Sequence, residues 1–293
     1  MQQVLFVSGT ALFVSMLVHG AALAATGGTM HGPTSFRKAM TFAEAGWLLC
    51  WSVGWLLPLI TMRRWERGFV AFGALLFGVG ETILMSTQVW RGVPSHYNLT
   101  TIFDAVWFGA TGVIAVVFTC AMLVLLCAAL RERRLAPSLL LSIRAGTLLI
   151  VFGLLVGFVM IMNSSGVWQG VTHLVETRFD MQVREGEVGG DLVLLHAIGV
   201  HGLNLVPLAA WLLSYSRLSE RTRVIITALV TANIVLITTV LSVQVFSAAP
   251  ITGLDLVKIG ALLVCGLALL GCYAAAAWWA VSGMRSVGAP AYR

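Results

Sequence analysis

Glu81, Asp104, His196 and His201 stand in stretches otherwise apolar enough to cross a bilayer. An ionisable group at that depth is costly, turns toward the protein interior, and points to function by default. These residue types suggest acid–base chemistry. A carboxyl in apolar surroundings keeps its proton and can deliver it, and an imidazole can orient that acid or take a proton back. The aromatic faces of Trp90, Phe103 and Trp107 suit a cation formed along the way. Glu44, Gln88, Arg91, His96, Asn98 and Asn204 would supply polar contacts to a substrate held among them. Gln88 follows Glu81 at a spacing that returns to the same helix face. This reading requires Glu81, Asp104, His196 and His201 to converge in one hollow.

Plainer roles stand beside it. A polar group between membrane helices often only bonds a neighbour, at about 0.6–2 kcal/mol. That reading suits Gln88, Asn204, Asn233 and Gln244 best, and Glu81 and His201 least. Asp104, Asp191 and Asp255 open helices, where a carboxylate caps free N–H groups. Trp47, Trp90, Trp107 and Trp168 fit an interfacial aromatic belt as well as a pocket wall.

The elements that must position these residues are membrane helices. The chain of 293 residues is 59% apolar and only 10% charged, and its mean hydropathy is +0.93. A soluble domain carries about 25% charged residues, so a water-facing surface is excluded. The expected fold class is all-α, a polytopic membrane protein. Helices are predicted over 4–26, 42–62, 68–90, 103–130, 138–163, 191–214, 223–247 and 257–283, each able to cross about 30 Å. The apolar start has no basic leader and is too long for a signal segment, so it counts as the first of these eight.

Orientation follows from charge. Arg63, Arg64 and Arg67, then Arg131, Arg133 and Arg134, then Arg217, Arg221 and Arg223, and finally Arg285 and Arg293 follow the even-numbered helices. The positive-inside rule then places both termini in the cytoplasm of a multi-pass protein of the cell membrane. It also accounts for the net charge of +6 without a nucleic-acid partner. His19, His31, His96, His173, His196 and His201 all fall on the opposite, extracytoplasmic side. So do the loop holding Thr29, His31 and Pro33, and the long loop 164–190 with Glu176, Arg178, Phe179, Asp180, Arg184, Glu185 and Glu187. A loop that long is usually functional or disordered.

A faint repeat divides the chain into four-helix halves, 1–134 and 135–293. Thr87-Gln88-Val89-Trp90 with Phe103-Asp104 matches Val243-Gln244-Val245-Phe246 with Leu254-Asp255. Gly153-xxx-Gly157 reads as a close helix contact. Pro207 is the nearest approach to a helix break, and a single proline predicts a kink. Cys50, Cys120, Cys127, Cys265 and Cys272 all lie within helices, with no metal-binding spacing, so they read as packing residues and no metal is expected. No nucleotide or hydrolase motif is present. Asn98-Leu-Thr and Asn163-Ser-Ser match the glycosylation pattern.

The layout resembles haem A synthase: eight helices in two four-helix halves, termini inside, polar sites outside. That family carries a haem-ligand histidine on each even helix and a glutamate near the first. Glu44 matches the glutamate, and His196 or His201 matches the sixth helix, but the second, fourth and eighth helices have no histidine. Asp104 and Asp255 stand where ligands would be expected, and aspartate does not ordinarily hold haem iron. The resemblance therefore implies the fold and not the activity. A second resemblance is to bacterial membrane-bound terpene cyclases, through Gln88-x-x-Arg91-Gly-Val-Pro-Ser-His96-Tyr-Asn98, Asp104, and the His196/His201 pair. It implies an enzyme that closes a lipophilic, isoprenoid-type chain by protonation, with Glu81 or Asp104 as acid and no cofactor.

Two other classes stay open. A b-type haem or quinone redox protein would ligate haem through His196 or His201, partnered by His19 or another outer histidine. A transporter or sensor would use the polar midplane between the halves.

Overall fold

A bilayer offers no water to backbone N–H and C=O groups, so a chain this apolar must bond them within its own segments, as helices do. The computed structural model of the protein is built that way, and it describes residues 1–28, 34–163, 165–170 and 189–284. Its helices are α1 (Gln2–Ala25), α2 (Phe36–Leu56), α3 (Arg64–Leu75), α4 (Thr82–Trp90), α5 (Ile102–Arg131), α6 (Pro137–Asn163), α7 (Leu192–Val200), α8 (Gly202–Ser214), α9 (Glu220–Phe246) and α10 (Leu256–Met284). A π-helical turn, Leu76–Glu81, joins α3 to α4. The only strands among the described residues are β1 (Val167–Trp168) and β2 (Gly190–Asp191), paired antiparallel. They bring the ends of the long loop together.

Among the described residues, seven segments are long and apolar enough to cross a membrane. They are α1, the continuous Arg64–Trp90, α5, α6, the pair α7–α8, α9 and α10. The sequence predicts eight, and α2 is the difference. It is helical, but Arg37, Lys38, Glu44 and the tryptophans Trp47, Trp51 and Trp55 keep its hydropathy below that of the others. It also begins at Phe36 instead of 42, because Ser35 caps it: its hydroxyl accepts from Arg37 N at 3.2 Å. Large apolar side chains are exposed along the outer faces, Val113, Val264 and Leu267 among them, as a lipid-facing surface requires.

α1 and α10 lie at the periphery, with only 22% and 11% of their apolar windows buried. The main apolar cluster runs from Leu5 and Leu49 through Phe118 and Leu125 to Ile150, Leu154 and Leu203. One core therefore spans the boundary near residue 134 between the two predicted halves. Close backbone contacts set the helix crossings. A Cβ on Gly46 would meet the Gly78 Cα at 2.9 Å, and a Cβ on Gly153 would meet the Val200 N at 2.5 Å. The glycine predicted at 153 does make a close helix contact. Gly157 faces a histidine ring instead of a helix.

Two irregularities lie where the sequence predicts none. The π-turn inserts an extra residue just before Glu81, and such turns concentrate at functional sites. The helix over 192–214 is interrupted at His201, not at Pro207. Backbone bonds carry through the interruption, with His201 N donating to Ala197 O at 3.0 Å and Leu205 N to His201 O at 2.9 Å. It is a pinch in the helix, placed where Gly202 lets Leu149 pack against the backbone.

Candidate functional site

The loop 91–101 is polar in composition, yet Ser95, His96, Tyr97 and Asn98 are all buried. It folds inward over the helix ends, and local bonds hold it there. Asn98 Oδ1 accepts from Thr100 N at 3.2 Å and Thr100 Oγ1 at 2.6 Å. Tyr97 takes a left-handed φ of 57°, uncommon for a residue with a side chain. That turn sends its hydroxyl to donate to Met160 O at 2.9 Å on α6 and leaves the neighbouring His96 facing inward.

Beneath this loop lies a pocket enclosing about 580 Å³ of empty space, its open mouth included. Glu81, His96 and His196 supply its ionisable groups, and Phe42, Phe77, Phe108 and Phe158 much of its wall. Thr111 and Thr119 also line it, but their hydroxyls are spent on helix carbonyls, Phe108 O and Ala115 O, each at 2.7 Å. Ile161 on α6, also in the lining, is 38% exposed, so the pocket wall reaches the outer surface there.

Glu81 is 4% exposed and has no hydrogen-bond donor or ion-pair partner among the described residues. The π-turn ends on it, so the extra residue sets its direction. His196 Nδ1 lies 2.7 Å from Gly153 O. A carbonyl only accepts, so Nδ1 carries the proton and Nε2 is left as an acceptor. Gly157 makes room for that ring, since a Cβ there would stand 3.1 Å from it. His96 is 4% exposed, with Nδ1 3.1 Å from Ser95 Oγ. Burial, with the charge of Lys38 behind it, holds His96 well below the usual histidine range, so it is neutral at ordinary pH.

The four residues expected to converge do not. Asp104 is absent from the pocket and is fully engaged elsewhere. It accepts from Gln88 Nε2 at 2.8 Å, Arg91 Nη1 at 2.6 Å and Thr101 Oγ1 at 2.6 Å. Arg91 also donates to Gln88 Oε1 and lies 4.6 Å over the Phe103 ring, which stacks on Trp107. Gln88, Arg91, Phe103, Asp104 and Trp107 thus form a clamp that ties α4 to the start of α5. Asp104 in it is a bound carboxylate, not a free acid.

His201 belongs to a third cluster. Asn204 Nδ2 donates to His201 Nδ1 at 3.2 Å, Ser52 Oγ donates to Asn204 Oδ1 at 2.9 Å, and Glu44 lies within electrostatic reach. This chain joins α2 to the pinched helix. Trp90 pairs instead with His19. His19 Nδ1 donates to Ser15 O at 2.8 Å and its Nε2 accepts from Trp90 Nε1 at 3.2 Å, so neither ring nitrogen is free for a metal. His31 and His173, and the charged residues of the 171–188 segment, lie outside the described residues. Among the described residues no cluster of His, Cys, Asp or Glu could hold a metal ion. The cysteines are all free thiols.

The residues of the faint repeat in the second half make bonds of their own. Gln244 Nε2 donates to Pro250 O at 2.7 Å, and its Oε1 accepts from Lys258 Nζ at 2.9 Å. Lys258 is 3.1 Å from Asp255. A glutamine, a cation and an aspartate thus also meet where α9 passes to α10, but the cation stands on the second helix and Gln244 bonds it and not Asp255, unlike Gln88 and Arg91, which both bond Asp104. Asp191 and Asp255 also cap their helices, at Leu194 N and Lys258 N.

The aromatic wall was not among the residues singled out from the sequence, but its spacing is visible there. Phe77 and Glu81 are four apart. Phe108, Thr111, Ala115 and Thr119 recur at intervals of three and four, as do Leu154, Gly157, Phe158 and Ile161, and each set marks one helix face.

Comparison with protein-family models, with characterised proteins and with solved structures gives no match for this chain.

Proposed function

We propose that the chain is an intramembrane enzyme that closes a lipophilic, isoprenoid-type chain by protonation, in the manner of a membrane terpene cyclase. The observation that carries this reading is Glu81, buried without a partner among the described residues in a phenylalanine-walled pocket beside two histidines. Glu81 adds its proton to a terminal alkene carbon, and the tertiary cation is attacked by the next alkene as the ring closes. Loss of a proton to His96 or His196 Nε2 ends the reaction, and that proton returns to Glu81, so the product is an isomer of the substrate. The phenylalanine faces stabilise the cation, and the largely apolar lining disfavours water that would quench it. Substrate reaches the pocket sideways from lipid, past Ile161. In this reading α2 also crosses the bilayer, both termini lie in the cytoplasm of the cell membrane, and the pocket opens in the extracytoplasmic half.

Glu81→Gln in liposome-reconstituted protein tests the mechanism. A panel of farnesyl-bearing aromatic compounds, followed by chromatography for an isomeric product, should show wild-type turnover and a loss of about 10²–10⁴-fold in the variant. Because Glu81 bonds no described residue, the variant should fold normally. Equal turnover by Glu81→Gln removes the mechanism.

One observation favours a second reading. His96 and His196 line the same pocket from different elements, and His196 has its Nδ1 fixed on a carbonyl, as haem-ligating histidines do. They are the pair that would hold a haem b iron, in place of His19 or His201. A Soret band in purified protein supports that reading, and protein still colourless after haem reconstitution rejects it.

A further inference from the structure

The opposite face carries a second pocket, with about 960 Å³ of open space, lined among others by Arg63, Glu66, Arg131, Glu132, Arg133 and Arg134. Both glutamates are buried and their oxygens are spent. Glu66 accepts from Arg63 N at 2.9 Å and from Arg131 Nη2 at 2.6 Å. Glu132 accepts from Thr61 N at 2.8 Å, Arg133 N at 2.8 Å and Arg134 N at 2.7 Å. These bonds hold the Glu132 carboxyl down to about 2, so it remains charged and occupied. The guanidinium groups of Arg133 and Arg134 are exposed and make no bond to any described residue. The lining therefore carries more positive than negative charge, with the free cations facing outward and the anions sealed beneath.

A guanidinium presents a planar fork of donors that matches phosphate oxygens. Trp65 is 58% exposed at the start of α3 and Leu130 is 49% exposed at the end of α5. The arginines thus stand beside side chains suited to the edge of the hydrocarbon layer. We infer that this pocket binds a phosphate group, presented by the headgroup of an anionic phospholipid or as free phosphate, with the apolar neighbours favouring the lipid.

The test is thermal unfolding in neutral detergent with added phosphatidylglycerol, phosphatidylcholine or inorganic phosphate. Wild type is compared with Arg133→Gln/Arg134→Gln and with Arg221→Gln. Arg221 is an exposed arginine near the same face, where Glu220 accepts from Ser138 N at 2.7 Å. The double variant should fold, because Glu132 is held by backbone N–H groups. Phosphatidylglycerol should raise the Tm of wild type and of Arg221→Gln equally, and that of the double variant by less than half as much. Inorganic phosphate matching phosphatidylglycerol identifies free phosphate as the source and leaves the site standing. The inference is overturned if the double variant responds like wild type, if phosphatidylcholine stabilises as well as phosphatidylglycerol, or if Arg221→Gln loses as much as the double variant.

Discussion

His96 shows how far one side chain can depend on a loop. It sits in a segment that reads as surface from its serine, histidine and asparagine, and it is buried because Tyr97 turns left-handed and anchors on Met160. Its lowered pKa makes a prediction with a definite sign. In the unfolded chain the ring takes up a proton near 6.5, whereas in the folded protein burial and the charge of Lys38 keep it neutral. Unfolding then binds a proton, so His96 contributes stability in full above about pH 6.5, and that contribution falls as the pH drops, by up to about 1.4 kcal/mol per unit for one proton. Tm in detergent should therefore decline from pH 7.5 to 5 more steeply for wild type than for His96→Gln. The other histidines are common to both proteins, so the difference belongs to His96. Identical slopes would show that the ring is already free to take a proton in the folded state.

At the scale of elements, the pocket depends on where α6 and α7 meet. Gly153 admits the backbone of Val200 and offers the carbonyl that fixes His196. Gly153→Val should force the helices apart at a cost of about 1–3 kcal/mol, and it should weaken any Glu81-dependent turnover as His196 loses its support. Gly266→Val is the control, since nothing lies within 4 Å of a Cβ there, and its Tm should stay near wild type. If both variants melt alike, the α6–α7 contact is not what holds the site. The glycine at 153 was legible in sequence, and so were most helix spans, because apolar length alone prescribes them. The π-turn before Glu81 was not, since one inserted residue leaves no mark on composition. The pinch at His201 was also hidden: proline advertises a break, while the actual feature arises from Leu149 packing against Gly202, a contact between segments far apart in sequence. The same limit misdirected Asp104. Its position at a helix start showed that it would be engaged, but not that Arg91 and Gln88 would engage it so completely.

For the whole molecule, the sidedness of the architecture turns on α2. Seven segments among the described residues have the length and apolar character to span a bilayer, while α2 carries Arg37, Lys38 and Glu44 and is packed between α1 and the Arg64–Trp90 segment. A helix in that position meets little lipid, so it can cross while being less apolar than its neighbours. Crossing fixes the sidedness of everything else. The loops at Thr61 and Arg133 line one pocket and share a face, and the loop at Gly92 emerges at the other end of the bundle. If α2 spans, α1 and α2 form a hairpin that returns to the side it left, so residue 2 lies with residue 133 and against residue 92. Single cysteines at Gln2, Gly92 and Arg133, each in a background with the native cysteines replaced, distinguish the cases in intact cells with a membrane-impermeant maleimide. Gly92→Cys should label from outside, and Gln2→Cys and Arg133→Cys only after the membrane is opened. Labelling of Gln2→Cys together with Gly92→Cys from outside would mean that α2 does not cross. The chain would then have seven crossings, with its amino end on the same side as the Glu81 pocket.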